Sequence, residues 1–134
     1  MKLCSACFLG VRCLYNCASR PNQKIINLSK TEALIPVCPE QLGGLATPRE
    51  PSHIVGNKVL SRSGQDITDN FIRGAQETLK ICQLFGIKEA ILKQGSPSCG
   101  SGKSGPWPKQ TGDGITTRLL KKHHIKVISQ GQLK

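Results

Sequence analysis

Aromatic side chains are scarce in this chain: one Trp, one Tyr and three Phe, 4% of 134 residues. Proteins that read single-stranded nucleic acid interleave aromatics with cations so that bases can stack, and too few are present for that. Acidic residues are few as well, 8 against 19 Lys and Arg, leaving a formal charge of +11. The basic residues are spread along the chain with no block of five or more. The charge therefore attracts anions in general; nucleic acid is an open partner but not the favoured one. No apolar run approaches the ~20 residues of a membrane span, so no membrane partner is expected. Met1-Lys2-Leu3-Cys4-Ser5 is too short for the apolar region of a secretory signal, and polar residues return by Arg12. These absences point to the cytoplasm. Nothing in the sequence sets an oligomeric state.

Cysteine is what the chain holds in excess, seven in all. Thiols stay reduced in the cytoplasm, and an odd number argues against a closed set of disulfides. Metal or cluster binding is the leading explanation.

Residues 1–134 fit one domain by length. Four short apolar segments read as strands: Lys2–Phe8, Glu32–Val37, Glu89–Lys93 and Lys126–Ser129. Runs of this length between breakers suit buried parallel strands. A helix is expected over Thr68–Phe85, with Asp66 as N-cap and Asp69 in its first turn. Ile67, Phe71, Ala75, Leu79 and Cys82 form its buried stripe, and Gly86 stops it. A second helix runs over Ile115–His123. Each helix leads through a tight turn into an apolar strand, the second half of a βαβ unit, so the fold class is α/β with a mostly parallel sheet. Gly56-Asn57 joins His53-Ile54-Val55 to Lys58-Val59-Leu60 as a two-residue hairpin.

On this reading Cys7 lies near the carboxyl end of the first strand, Cys38 directly after the second, and Cys99 in the loop after the third. Open parallel sheets bind ligands beyond those ends, so three thiols distant in sequence could share one crevice. The loops Cys38–Gly44 and Ser96–Gly102 are rich in Gly and Pro, which allows close approach of backbone to a cofactor.

Ser5-Ala6-Cys7-Phe8-Leu9-Gly10, Pro36-Val37-Cys38-Pro39-Glu40-Gln41-Leu42-Gly43-Gly44-Leu45 and Thr47-Pro48-Arg49 resemble the short thiouracil desulfidase (TudS) family. Gly64-Gln65-Asp66-Ile67-Thr68 with Phe71 and Gly74-Ala75, then Ile91-Leu92-Lys93 with Ser96-Pro97-Ser98-Cys99-Gly100, then Gly112-Asp113-Gly114-Ile115 and the closing strand continue the match in order. The resemblance implies a compact, single-domain, Rossmann-like fold carrying a 4Fe-4S cluster on Cys7, Cys38 and Cys99, with one iron open to substrate. It implies catalytic roles for Glu40 and Ser96, and removal of sulfur from a thiolated pyrimidine such as 2-thiouracil, giving uracil and sulfide without net electron transfer. The family usually reads Arg-Tyr-Asp-Gly after the first cysteine. Here Leu14-Tyr15-Asn16-Cys17 keeps the Tyr, replaces the acid by Asn and the Gly by Cys.

Other readings stand beside this one. Cys4, Cys7, Cys13 and Cys17 could hold zinc, making the chain a non-catalytic zinc- or cluster-binding module associated with nucleic acid. Cys4 and Cys7 would then face opposite sides of one strand, which weakens joint ligation. Otherwise Cys13 and Cys17 are loop residues and Cys82 is core. Gly102-Lys103-Ser104 evokes a phosphate-binding loop, but Pro97 occupies the position where that pattern needs Gly. His123 and His124 complement a helix C-terminus. Glu40 could instead cap the Gly43-Gly44 turn, and Ser96 could shape its own turn. Arg49 contacts an anionic ligand or stands in solvent between two prolines, and Lys103 and Lys109 line the crevice mouth.

Overall fold

The computed structural model describes residues 1–106 and 109–133, with the backbone alone over 103–111. Four parallel strands form the main sheet: β1 (Lys2–Ser5), β2 (Leu34–Val37), β5 (Glu89–Leu92) and β8 (Lys126–Ser129), in the order β2-β1-β5-β8. Two small antiparallel hairpins lie between these strands in the chain, β3 (Ser52–Val55) with β4 (Lys58–Ser61), and β6 (Lys103–Pro106) with β7 (Lys109–Thr111).

Alternation along the strands explains why the sheet is covered on both faces. Leu3, Ala90, Leu92 and Val127 point toward α3 (Thr68–Phe85) and α4 (Ile115–Lys122), where Leu79, Cys82 and Leu120 complete one core cluster. Cys4, Ile91 and Ile128 point the other way, toward Ile25 of α1 (Gln23–Leu28). Full burial of a Leu, Ile or Phe contributes about 1.5–3 kcal/mol, so a chain poor in aromatics builds its core from aliphatic side chains on two faces. The α/β, Rossmann-like, mostly parallel reading holds. Among the described residues no helix is long and apolar enough to cross a membrane.

Several boundaries differ from the sequence reading. The first strand ends at Ser5, and Ala6–Leu9 wind into a 3-10 turn closed by Gly10 at φ +96°. Periodicity cannot separate a short apolar strand from a short apolar turn. The turn removes Cys7 from the strand, so Cys4 and Cys7 are not alternate residues of one extended segment. The second strand begins at Leu34, the third ends at Leu92, and the last helix ends at Lys122. The cap position of α3 is Ile67, while the Asp66 carboxylate, one residue earlier, still accepts from Thr68 N at 3.0 Å and Thr68 Oγ1 at 2.6 Å. The Gly56-Asn57 hairpin is present, with Gly56 at φ +62° in the first turn position, where a type II′ turn needs glycine.

A short helix not expected from the sequence, α2 (Pro39–Leu42), starts immediately after β2 with Cys38 at its cap position and Pro39 in its first turn. It lies against α3 at backbone contact. A Cβ on Gly74 would run into the Pro39 carbonyl, and one on Gly43 into the Asn70 carbonyl. Asn70 Nδ2 adds a 2.9 Å hydrogen bond to Gly43 O.

Candidate functional site

The chain passes from β1 to β2 on one side and returns to β5 on the other, so β1 is the point where strand order reverses. Ligands in open parallel sheets bind beyond the carboxyl ends at such a point. A cavity of about 150 Å³ opens there, well above the ~10–15 Å³ that one water fills. Cys7, Cys38, Glu40, Ser96 and Cys99, the five residues singled out from sequence, all line it.

Each arrives by a different local device. Cys7 sits on the 3-10 turn, whose carbonyl accepts from Gly10 N at 3.3 Å and Arg20 N at 2.9 Å. Cys38 and Glu40 are set by the junction of β2 and α2, and the glycine crossing on α3 fixes that junction. Cys99 is tied from three directions. The amide of Gln94 clamps Ser101 through Nε2→Ser101 O at 2.7 Å and Ser101 N→Oε1 at 2.9 Å. Ser96 Oγ accepts from Ser98 N and Cys99 N, both at 3.2 Å, so the turn-forming reading of Ser96 is correct as far as it goes. The first amides of α4 then hold the loop: Ile115 N reaches Pro97 O at 2.8 Å and Thr116 N reaches Ser98 O at 2.9 Å. Thr117 Oγ1 donates to Cys99 O at 2.7 Å. Gly114 is required where α4 meets the loop, because a Cβ there would collide with the Ser98 carbonyl.

A polar network crosses the cavity. Glu40 Oε1 takes Arg49 Nε at 3.1 Å, and Oε2 takes the Ser98 hydroxyl at 3.1 Å and that of Ser96 at 3.5 Å. Ser98 Oγ also lies 3.5 Å from Cys99 Sγ. The Glu40 side chain therefore does not cap the Gly43-Gly44 turn; the main-chain carbonyl of Glu40 does that work, accepting from Leu45 N at 3.1 Å. Arg49 is not solvated between its prolines. Its side chain is 9% exposed, and Glu40, the remote Cys13 carbonyl and the nearby Ala46 carbonyl give its buried guanidinium partners.

Cys13 is the main residue that sequence reasoning missed. It was expected as an uninvolved loop residue, yet its thiol contacts those of Cys7 and Cys38 in the same cavity. Ser98 and Ser5 were also missed. Ser5 Oγ accepts from Lys93 N at 2.9 Å and bonds the Cys99 thiol. Ser98 directly precedes Cys99 in the Ser96–Gly100 stretch, so its proximity was legible. The path of residues 10–20 back over the cavity had no signal.

Burial sets the protonation of these thiols. It pushes Cys99 up to about 12, with the Ser98 hydrogen bond opposing. Cys38 is raised by its hydrogen bond with Cys13 and by burial. Cys13 is also raised: its bond with Cys38 pulls downward, but the Cys7 bond and burial outweigh it. Only a bound cation or cationic group would hold such sulfurs as thiolates.

Among the described residues, no three Cys, His, Asp or Glu side chains are grouped for a single metal ion. The zinc reading of Cys4, Cys7, Cys13 and Cys17 also fails on placement, since Cys4 is buried within β1 and Cys17 is exposed. Thiols from three separate elements spaced around a cavity suit a group of several atoms instead. His123 and His124 are exposed beside Lys121 and Lys122 and far in sequence from every cavity residue. The strand β6 follows Gly102, where a phosphate-binding loop would open a helix. The side chains of Lys103 and Lys109 lie outside the described residues.

The chain matches the family model for 2-thiouracil desulfurase over residues 3–132. It is 38% identical over 147 aligned positions to Uncharacterized protein YbbK of Bacillus subtilis (strain 168), covering 99% of this chain and 97% of that protein. The solved structure of the 4Fe-4S-dependent thiouracil desulfidase TudS matches with a TM-score of 0.92 at 40% identity, covering 98% of this chain and 91% of that one.

Proposed function

This chain belongs to the 2-thiouracil desulfurase family, and from that premise we propose that it is a 4Fe-4S-dependent desulfidase converting a thiolated pyrimidine such as 2-thiouracil, with water, to the oxo base and sulfide. The observation that carries the reading is the Glu40 carboxylate, held between Arg49 and the two serines in the cavity lined by Cys7, Cys38 and Cys99.

Cys7, Cys38 and Cys99 hold the cluster in this proposal. When bound, the cluster would supply Lewis acidity toward soft thiocarbonyl sulfur. Glu40 Oε2 takes a proton from the attacking water as general base, while Oε1 stays on Arg49 Nε. Ser96 Oγ, donating to Oε2, aligns the carboxylate and the water. The Ser5 hydroxyl hydrogen-bonds the Cys99 sulfur and would stabilise it as a thiolate, while Ser98 Oγ gives its one proton to Glu40 Oε2. The water oxygen ends on the ring carbon, the sulfur leaves as hydrogen sulfide with the protons of that water, and the oxidation state of carbon is unchanged. No reductant is consumed.

The test is anaerobic reconstitution with iron and sulfide, followed by assay of uracil and sulfide from 2-thiouracil. A brown protein that forms both in equal amounts supports the reading. A fully loaded protein that releases no sulfide overturns it.

A further inference from the structure

We propose that Arg49 is a positioning residue with two targets, the acid–base carboxylate of Glu40 and the sulfur of Cys38; the inference rests on the desulfidase reading above. Thr47-Pro48-Arg49 lies just beyond the Cys38–Gly44 loop in sequence and far from Cys13, and its guanidinium joins the two. Nε donates to Glu40 Oε1 at 3.1 Å. Nη1 donates to Thr47 Oγ1 at 2.8 Å and Ala46 O at 3.3 Å. Nη2 donates to Cys13 O at 2.9 Å and lies 4.0 Å from Cys38 Sγ. The Arg49 amide donates to Tyr15 O at 2.8 Å, so the same residue pins the 10–20 segment over the cavity.

The geometry needs a planar fork. One edge of the guanidinium holds Oε1, which turns Oε2 toward Ser96 and Ser98. Another reaches the Cys13 carbonyl and the Cys38 sulfur. Cys38 Sγ donates to Cys13 O at 3.7 Å as a thiol. As a thiolate it has no proton to give and becomes an acceptor for Nη2. A fixed positive charge and an N–H beside a ligand sulfur favour the more negative, reduced state of a cluster, because hydrogen bonds and net charge set its potential. Lys carries the charge without the fork and cannot serve both targets.

The test compares wild type, Arg49→Gln, Arg49→Lys, Glu40→Gln and the Glu40→Gln/Arg49→Gln double variant, all loaded anaerobically. Arg49→Gln is expected to keep its iron, shift the cluster potential to more negative values, and lose about 10–100-fold in kcat at unchanged KM. Arg49→Lys is expected to restore the potential toward wild type but not kcat. The double variant is expected to lose no more kcat than Glu40→Gln alone, since Arg49 acts on the reaction through that carboxylate. Losses that multiply in the double variant, or an Arg49→Gln protein with wild-type potential and kcat, overturn the proposal. Where Arg49→Gln does not fold, wild-type kcat in Arg49→Lys overturns it. A loaded wild type that releases no sulfide sinks the desulfidase reading instead, and the potential shift then decides the role of Arg49 at Cys38 by itself.

Discussion

Gly74 of α3 lies against the carbonyl of Pro39, so close that a Cβ would collide with it, and Gly43 meets Asn70 in the same way. This crossing holds α2 down and with it the junction that presents Cys38 and Glu40. Gly74→Ala is expected to cost about 1–3 kcal/mol, the usual penalty for overpacking a tight contact, and to lower activity further by displacing Glu40. Denaturant unfolding of wild type and variant measures the first effect. An unchanged midpoint would show that the two backbones can part freely.

Glu40→Gln keeps the shape of the side chain and removes the base. Iron content is expected to match wild type, while sulfide release falls about 10²–10⁴-fold, the range for losing one positioned proton acceptor. Equal loss of iron and activity would mean that Glu40 serves loading instead of proton transfer.

The buried thiols make stability depend on pH at the alkaline end. Burial raises Cys4 from 9.0 to about 12 and Cys82 from 9.0 to about 11. In the unfolded chain these thiols ionise near 9.0, while in the folded protein they stay protonated well above it. Their contribution is therefore complete below pH 9 and is lost as pH rises toward 11 and 12. The melting temperature of cluster-free protein, kept anaerobic, should fall steadily above about pH 9. Cys82→Ala should flatten that slope while lowering stability at neutral pH.

Cys17 adopts φ +66° and is exposed. A side chain in the left-handed region costs about 1–2 kcal/mol, part of which glycine forfeits through its greater unfolded freedom. Cys17→Gly is expected to stabilise the protein by about 0.5–1 kcal/mol, seen as a rise of a few degrees in Tm. A fall in Tm would show that the Cys17 side chain makes a stabilising contact.

The sheet and the placement of three thiols at strand ends were legible because short aliphatic runs between glycines and prolines leave few alternatives to buried parallel strands. Cys38 and Cys99 followed directly from where β2 and β5 stop. Cys7 reached the same cavity by a 3-10 turn instead of a longer strand, since Ala6–Leu9 is apolar in either conformation. The helices α1 and α2, of 6 and 4 residues, are too short to show a period. Cys13 was not readable as part of the site, and for Arg49 the sequence left a ligand contact and a solvated position side by side. Their partners lie on other loops, and no local pattern encodes a contact between residues 13 and 49.

The most direct test follows the oxygen. Cluster-loaded protein is given 2-thiouracil in ¹⁸O-labelled water, with no reductant present, and uracil and sulfide are quantified by mass spectrometry and colorimetry. Each uracil is expected to carry one labelled oxygen at the former thiocarbonyl carbon and to be matched by one sulfide. Turnover that requires a reductant, or uracil that forms without the label, would contradict a hydrolytic desulfidase built on Glu40 and three thiols.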